Sequence, residues 1–273
     1  MIAGQLKRVI ELSELQKENN AYNLDNLICF ISGKGGTGKS ILSLLTALSL
    51  SENCYKVLVI DLDLGFPNAN ILLNHNVQKS LDDYYLKEVS IENTITCLND
   101  NLHIIFGLNE NSLTIRNPKI FIKNLITEIG IISKKYNYVI IDNGAGIDEL
   151  KLTLLQNSSF KVIVTNSEPT SIMDAYALIK IFENACSPSS FLILINNSKD
   201  EIEGQEAFQK LQKAVNSFLK SRISLLTIFK ENPSLKEYVS EHNLLGFFYD
   251  NSNILTTFKA SLNIFKICST AQY

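Results

Sequence analysis

The sequence contains no long apolar run. Its longest uninterrupted apolar stretches, such as Leu27–Ile31 and Phe191–Ile195, are far shorter than the ~20 residues that a membrane-spanning helix needs. The N-terminal segment MIAGQLKRVIELSEL carries charges where a secretory signal would need an unbroken apolar stretch. The sequence therefore predicts neither a membrane span nor a signal peptide, and a cytoplasmic location is expected.

Paired cysteines are also lacking. The five cysteines are an odd number, and none stands in a C-x-x-C arrangement. A zinc site or a disulfide framework is therefore not predicted, and reduced thiols in a cytosol are the simpler interpretation. The cysteines are Cys29, Cys54, Cys97, Cys186 and Cys268.

Arginine is scarce, and the formal net charge is −3. The only arginines are Arg8, Arg116 and Arg222. A strongly basic surface for nucleic acid is disfavoured by this balance, so no nucleic-acid partner is expected.

The chain of 273 residues has 45% apolar content, which is normal for a globular protein with a sizeable core. Short apolar runs alternate with helical stretches, and the runs are continuous, as in strands covered on both faces. The predicted strands are Leu27–Ser32, Lys56–Ile60, Leu102–Phe106, Tyr138–Ile141, Phe160–Thr165, Phe191–Ile195 and Ile223–Ile228. The predicted helices between them are Ser40–Leu50, Lys119–Lys134, Ser171–Asn184 and Glu203–Phe218. This alternation predicts one doubly wound α/β domain, with a mostly parallel sheet and helices on both faces.

Both ends of the chain carry further signals. Apolar residues at helical spacing predict a short amphipathic helix over residues 2–16, and the polar stretch Lys17–Asn26 predicts a linker. We therefore expect a helix and linker over 1–26 and the domain over 27–273. The leading helix either packs on the domain or serves as a free docking element. Near the other end, Asn232-Pro233 predicts a helix running to Val239, and a last helix is predicted over Ser252–Cys268.

The strongest motif is a glycine-rich loop between a predicted strand and a predicted helix. It matches G-x-x-x-x-G-K-[ST], whose glycines let successive backbone N–H groups point at a polyphosphate. The helix N-terminus adds partial positive charge, the second lysine places a full charge at the β- and γ-phosphates, and the serine hydroxyl is a ligand for Mg²⁺. The loop consists of Gly33, Lys34, Gly35, Gly36, Thr37, Gly38, Lys39 and Ser40.

Two acidic segments follow later strands. Asp61 and Asp63 come after the second strand, and their i, i+2 spacing points both carboxylates the same way, toward the edge where α/β sheets bind ligands. Asp142 follows Tyr138–Ile141 in the pattern of a Walker B carboxylate. Ser40, Asp61 and Asp142 are therefore the candidate ligands of Mg²⁺.

The segment Lys34-Gly35-Gly36-Thr37-Gly38-Lys39-Ser40 resembles the deviant Walker A motif of the MinD/ParA class of ATPases. The resemblance implies a slow ATPase that binds ATP or ADP with Mg²⁺ and forms a homodimer when ATP is bound. It implies three catalytic residues: Lys39 at the phosphates, Lys34 reaching the partner's nucleotide, and Asp63 orienting the attacking water. The glycines after Asp142 would sense the γ-phosphate.

Within that class, the chain is most similar to the FlhG regulators of flagellar number. Three segments carry this resemblance: Asp61–Asn70, Tyr138–Asp148 and, most discriminating, Ser167–Lys180. It implies that Asn196 contacts the adenine base; Asn197 and a loop-capping role are the alternatives. It also implies an FlhF-type GTPase and flagellar basal-body proteins as partners, at the membrane or the cell pole.

The chain also departs from that family. The leader lacks the family's Asp-Gln pair before Leu6, and Lys259 and Lys266 are the only basic residues of the predicted last helix. Membrane contact is therefore expected to be weak or indirect. A ParA-type ATPase that positions DNA or another cargo is the competing function. An iron–sulfur scaffold is disfavoured because Cys97 and Cys186 lack paired ligand spacing.

Overall fold

The computed structural model describes residues 24–63, 67–86, 88–107, 118–252 and 255–265. The predicted leading helix lies outside these residues, as does most of the predicted linker. Among the helices in these ranges, none combines the length and the apolar character needed to cross a bilayer.

The fold is built on one eight-stranded sheet with the order β3-β4-β2-β5-β1-β6-β7-β8. Every pairing is parallel except that of the edge strand β3, which runs antiparallel to β4. The strands are β1 (Leu24–Ile31), β2 (Val57–Leu62), β3 (Ile95–Cys97), β4 (Leu102–Ile105), β5 (Tyr138–Asn143), β6 (Ser158–Asn166), β7 (Ser190–Ser198) and β8 (Arg222–Lys230).

Helices connect the strands and cover the sheet. They are α1 (Lys39–Glu52), α2 (Ala69–Leu72), α3 (Leu81–Tyr85), α4 (Pro118–Ser133), α5 (Glu149–Asn157), α6 (Pro169–Ala185), α7 (Glu201–Phe218), α8 (Pro233–Ser240), α9 (Leu244–Asp250) and α10 (Thr256–Ser261). A 3₁₀ turn, Ile91–Thr94, precedes β3. Asn232 caps α8 by accepting a hydrogen bond from the Leu235 amide, with Pro233 in the first turn, as its sequence predicts.

Two apolar cores lie on opposite faces of the sheet. Successive β1 residues alternate between them: Leu27, Cys29 and Ile31 belong to one core, while Ile28 and Phe30 belong to the other. The first core is covered mainly by α4, α5, α6 and α7, and the second by α1 together with α8, α9 and α10. A strand that buries both faces must be apolar at every position, which explains the continuous apolar runs. The predicted doubly wound fold is thereby confirmed.

The start of β1 differs from the prediction. The strand begins at Leu24, inside the stretch Lys17–Asn26 for which a linker is predicted. The Asn26 side chain donates to the backbone carbonyls of Ser133 and Tyr136, at 2.9 Å each, where α4 turns toward β5. Polar composition alone predicted a linker here, but this asparagine has partners more than a hundred residues away along the chain.

The C-terminal region also differs in part. Leu244–Asp250 forms α9, which is not predicted, and the described part of the predicted last helix contains α10, a turn at Leu262 and helical residues 263–265. Phe258 and Phe265 are nevertheless buried, and they pack edge-on against Phe229 and Phe160. The expectation that this apolar face docks on the domain is confirmed for the described residues.

Candidate nucleotide site

The site lies where the carboxyl ends of the central strands meet. β1 leads into the glycine loop, and β2 and β5 lie side by side with Asp61 opposite Asp142 in register. β6 and β7 end next to the loop on the other side, with Asn166 opposite Asn196. The parallel topology therefore brings together residues that are far apart in sequence.

The glycine loop wraps around the N-terminus of α1. Gly36 and Gly38 have φ angles of 76° and 84°, in the left-handed region that residues with a side chain rarely adopt. Gly38 is the residue that precedes the helix, and no side chain caps the first amides of α1. A helix N-terminus with uncapped N–H groups favours binding of an anion such as phosphate.

Lys39 is held in a buried ion pair. Its Nζ lies 2.6 Å from Oδ1 of Asp142 and 3.4 Å from Oγ of Ser40. The side chains of Lys39 and Asp142 are only 6% and 3% exposed. Because burial removes a charge from water at high cost, each of these groups depends on the other. The structure thus brings together three of the predicted site residues, Lys39, Ser40 and Asp142, beside the glycine loop.

Asp61 lies deeper, at 1% exposure. Its Oδ1 accepts a hydrogen bond from the Asp63 amide and its Oδ2 accepts one from the Ala69 amide, at 3.0 and 3.3 Å. Burial, reinforced by the nearby Asp142, raises the pKa of the Asp61 carboxyl to about 7. Both oxygens therefore fasten the two ends of the segment after β2, and the predicted role of Asp61 as a metal ligand stays a prediction.

Asp63 lines the same cavity as the glycine loop. Burial raises the pKa of its carboxyl, with Lys39 and Lys151 opposing that shift and Asp142 adding to it. Gly144 leaves room for this carboxylate, since a Cβ at Gly144 would lie 2.5 Å from Oδ1 of Asp63. The segment after β2, which carries Asp63, therefore lies against the segment after β5, which carries Gly144.

A cavity of about 320 Å³ opens over the glycine loop. The glycine loop, Asp63 and Ala145 contribute to its lining. The start of α1, α2, α8 and the residues next to them contribute the rest, which are Ile41, Asn68, Ile71, Leu72, Val239 and His242.

Lys34, the first lysine of the loop, pairs within its own chain. Its Nζ lies 2.7 Å from Oε2 of Glu168, the residue that precedes α6. The two side chains are 33% and 63% exposed, so solvent screens this pair. Gly33 is packed close to the same helix, because a Cβ there would lie 2.6 Å from backbone atoms of Asp174. The predicted contact of Lys34 with a partner's nucleotide stays a prediction.

The Asn196 side chain contacts the glycine loop at Thr37. Its Nδ2 donates to the Thr37 carbonyl at 2.7 Å, its Oδ1 is buried without a hydrogen-bond partner, and the residue is 5% exposed. Asn197, the alternative from the sequence, is exposed and has a positive φ of 51°. In this structure Asn196 supports the loop, and its predicted contact with adenine stays a prediction.

Two residues at the site were not singled out from the sequence. Glu168 lies inside the segment Ser167–Lys180, but only the fold shows that it meets Lys34. Lys151 donates from Nζ to the Ala145 carbonyl at 3.0 Å and pairs with Asp148 at 3.0 Å. The i, i+3 spacing of Asp148 and Lys151 at a helix start was the available signal.

This geometry defines a class of protein. A glycine loop joins a buried strand to a helix, and its lysine lies beside the carboxylate that ends a neighbouring strand, which is the arrangement of P-loop nucleotide-binding proteins. Within that class the chain belongs to the ParA family, whose model, described as "NUBPL iron-transfer P-loop NTPase", matches residues 23–230. The resemblance to MinD/ParA proteins that the loop predicts is confirmed.

Two curated relatives are similar to this chain over most of its length. The "Flagellum site-determining protein YlxH" of Helicobacter pylori is 31% identical over 220 residues, which are 80% of this chain and 74% of that protein. The "Antiactivator FleN" of Pseudomonas aeruginosa is 26% identical over 234 residues, which are 86% of this chain and 84% of that protein. The predicted similarity to flagellar regulators is therefore confirmed.

Solved structures agree on the fold. The cell division ATPase MinD of Pyrococcus furiosus superposes with a TM-score of 0.71 at 20% identity, covering 89% of this chain and 99% of that chain. MinD of Pyrococcus horikoshii, solved with Mg-ADP, gives a TM-score of 0.64 at 22% identity, covering 80% and 86%. At these identities the comparison shows the fold alone.

Proposed function

We propose that this chain is an ATP-driven molecular switch that dimerises when ATP is bound, hydrolyses ATP slowly with Mg²⁺, and regulates the number or placement of flagella. The observation that carries the nucleotide chemistry is the buried pair of Lys39 and Asp142 at the glycine loop, with Asp63 across the cavity. The relatives YlxH and FleN support the flagellar assignment.

Phosphate binding would use the loop and Lys39. The uncapped amides of α1 face the anion, and the Lys39 ammonium exchanges the Asp142 carboxylate for phosphate oxygens. That exchange leaves Asp142 available for a cation. The cavity volume of about 320 Å³ gives the phosphates and part of the nucleoside room beside the loop.

Mg²⁺ fits the residues beside the glycine loop. Magnesium keeps several waters and takes only one or two protein carboxylates together with substrate phosphates. Ser40 and Asp142 would hold it, with Asp61 beside Asp142 on the neighbouring strand. When bound, the ion would neutralise the phosphate charge during transfer.

Asp63 would position the attacking water. Its carboxylate lines the cavity, and the burial that raises its pKa also makes it a stronger proton acceptor than an exposed aspartate. Attack of the water oxygen on the γ-phosphorus breaks the bond to the β-phosphate oxygen and yields ADP and inorganic phosphate. The slow turnover that we propose rests on the resemblance of the glycine loop to that of the MinD/ParA ATPases.

Dimerisation would release Lys34 from Glu168. The pair is partly exposed, so breaking it costs little compared with a buried pair. The freed ammonium would then be available to phosphates presented by a second copy. The nucleotide state then sets which partners are bound, among them an FlhF-type GTPase and basal-body proteins, at the cell pole or the membrane periphery.

Replacing Asp63 by alanine should separate binding from turnover. We expect Asp63→Ala to bind ATP with the affinity of the unchanged protein, to lose hydrolysis, and to accumulate as a dimer, because the step that resets the switch is removed. Size-exclusion chromatography with light scattering at micromolar protein, with ATP and with ADP, measures this. Glu206→Ala, which removes an exposed carboxylate of α7 whose pair with Lys210 is screened by solvent, is the control. A variant that stays monomeric with ATP would contradict the sandwich dimer.

Lys34→Ala should leave the fold intact, since it removes only a screened pair, and it should lose hydrolysis, dimerisation or both. The matched control is Glu168→Gln, which breaks the same pair but keeps the ammonium. Phosphate release and the oligomeric state are measured for both variants. If Glu168→Gln loses as much as Lys34→Ala, the pair within one chain is what matters and the role in trans is wrong.

The biological assignment is tested in a flagellated host. Deletion of the gene should change the number or position of flagella counted by electron microscopy, and the intact gene but not the Lys39→Ala form should restore them. Normal flagella with missegregated DNA or another misplaced cargo would instead assign the protein to the partitioning ATPases. The nucleotide chemistry would be unaffected by that outcome.

A further inference from the structure

Lys151 is a lysine held away from water in the first turn of α5. Its side chain is 12% exposed, and it folds back over the start of its own helix. The ammonium donates to the carbonyl of Ala145, at 3.0 Å, and pairs with the Asp148 carboxylate, at 3.0 Å. Ala145 itself lines the cavity, so Lys151 is bonded to the wall of the nucleotide site from behind.

A second carboxylate, that of Asp63, also lies near the Lys151 ammonium. A Cβ placed on Gly144 would lie 2.5 Å from Oδ1 of Asp63 and 3.5 Å from Nζ of Lys151. The charged groups of Asp63 and Lys151 therefore face each other across the side of Gly144 that carries no side chain. The ammonium joins the segment after β2 to the segment after β5, since it attracts the first and is hydrogen-bonded to the second.

We propose that Lys151 is a positioning residue for hydrolysis, which holds the Asp63 carboxylate and the Ala145 carbonyl in the arrangement that orients the attacking water. This inference rests on the proposed ATPase function and adds a residue to it. Lys151 does not line the cavity, so it acts through Asp63 and Ala145 and not on the nucleotide.

The electrostatic argument concerns what holds Asp63 once nucleotide is bound. Without nucleotide, two cations attract this carboxylate, Lys39 and Lys151, while Asp142 repels it. Phosphates engage Lys39 and Mg²⁺, so Lys151 becomes the side-chain cation near Asp63 that phosphate does not neutralise. A half-buried carboxylate that loses this cation turns toward water, and the water that it should orient is then misplaced.

A purely structural role for Lys151 would act through Asp148. Asp148 caps α5 by accepting a hydrogen bond from the Lys151 amide, and the side chains of the two residues also pair. Asp148→Asn keeps the cap, because asparagine caps helices well, but removes the charge that pairs with Lys151. This variant is therefore the matched control: it removes the ion pair and leaves the ammonium facing Asp63.

The test compares Lys151→Met, Lys151→Gln, Lys151→Arg and Asp148→Asn by steady-state hydrolysis, by ATP affinity from calorimetry and by melting temperature. Misplacing a catalytic group by ~1 Å can cost up to about 100-fold in rate. We expect kcat to fall by about that factor in Lys151→Met and in Lys151→Gln, which keeps a donor for Ala145 if the methionine variant fails to fold. KM and ATP affinity should stay unchanged, and Lys151→Arg should restore most of kcat.

Each outcome decides the inference. An unchanged kcat in Lys151→Gln, or an equal loss of kcat in Asp148→Asn, would overturn it while leaving the proposed ATPase function in place. A rise in KM without a change in kcat would also overturn it, because Lys151 would then act on binding. If the unchanged protein shows no ATP turnover at all, both the proposed function and this inference fail.

Discussion

Lys39→Met is expected to lower the free energy of unfolding of the nucleotide-free protein by about 3 kcal/mol, because it leaves the Asp142 carboxylate buried without its cation. Asp61 makes this worse, since a second carboxyl lies beside Asp142 in the same desolvated region. The same variant should lose ATP binding by a further ~1.5–3 kcal/mol, the strength of a charge-assisted contact to phosphate. Urea unfolding and calorimetry with ATP measure the two effects separately.

The double variant Lys39→Met/Asp142→Asn separates these effects. Replacing Asp142 by asparagine removes the stranded charge, so we expect most of the lost stability to return. ATP binding should not return, because the cation that meets the phosphates is still missing. A double variant that is no more stable than Lys39→Met would show that the buried pair does not set the stability of this region. Unchanged ATP affinity in Lys39→Met would refute the nucleotide site itself.

The parts of the fold that could be predicted are those with a local cause. β5, over Tyr138–Asn143, is buried at every position, and a continuous apolar run that ends in Asp142 leaves few alternatives to a central parallel strand. The glycine loop could be predicted equally well, because the positive φ angles at positions 36 and 38 favour glycine whatever surrounds the loop. Such features depend on neighbouring residues alone.

The parts that could not be predicted depend on tertiary contacts. β3 has only three residues and exists because it pairs with β4 at the edge of the sheet. The short helices α2 and α3 lie between β2 and the turn that leads to β3, where the sequence shows no sustained period. Elements of four or five residues are set by what they pack against.

The same distinction applies at the site. Residues of the loop and the two acidic segments were predicted from their spacing, but their contacts were not. Asn196 meets Thr37 from 159 residues away along the chain, and Glu168 meets Lys34 from 134 residues away. Lys151 lies in α5, a helix that the sequence analysis does not predict, and only the folded chain shows that it faces Asp63.

Three glycines of the loop differ in what each requires, which makes them a graded experiment. Gly35 has an ordinary backbone conformation, and a Cβ there would meet nothing within 4 Å. Gly36 has the same open surroundings but a φ of 76°. Gly38 has a φ of 84°, and a Cβ there would lie 2.1 Å from Nδ2 of Asn196. The three positions thus carry no constraint, strain alone, and strain with a steric clash.

Gly38→Ala should therefore be the most damaging of the three alanine substitutions. Backbone strain in the left-handed region costs ~1–2 kcal/mol, and displacing Asn196 from the Thr37 carbonyl leaves buried polar groups unpaired at a further ~1–3 kcal/mol. Gly36→Ala should lose about 1 kcal/mol through strain, and Gly35→Ala should be close to neutral. Urea unfolding without nucleotide measures this order, and ATP affinity should fall most in Gly38→Ala because its loop amides are turned away. Equal stability of Gly35→Ala and Gly38→Ala would mean that Asn196 does not support the loop. Comparing Gly38→Ala/Asn196→Ala with Asn196→Ala alone isolates the backbone strain, because both variants lack the clash and the Asn196–Thr37 hydrogen bond.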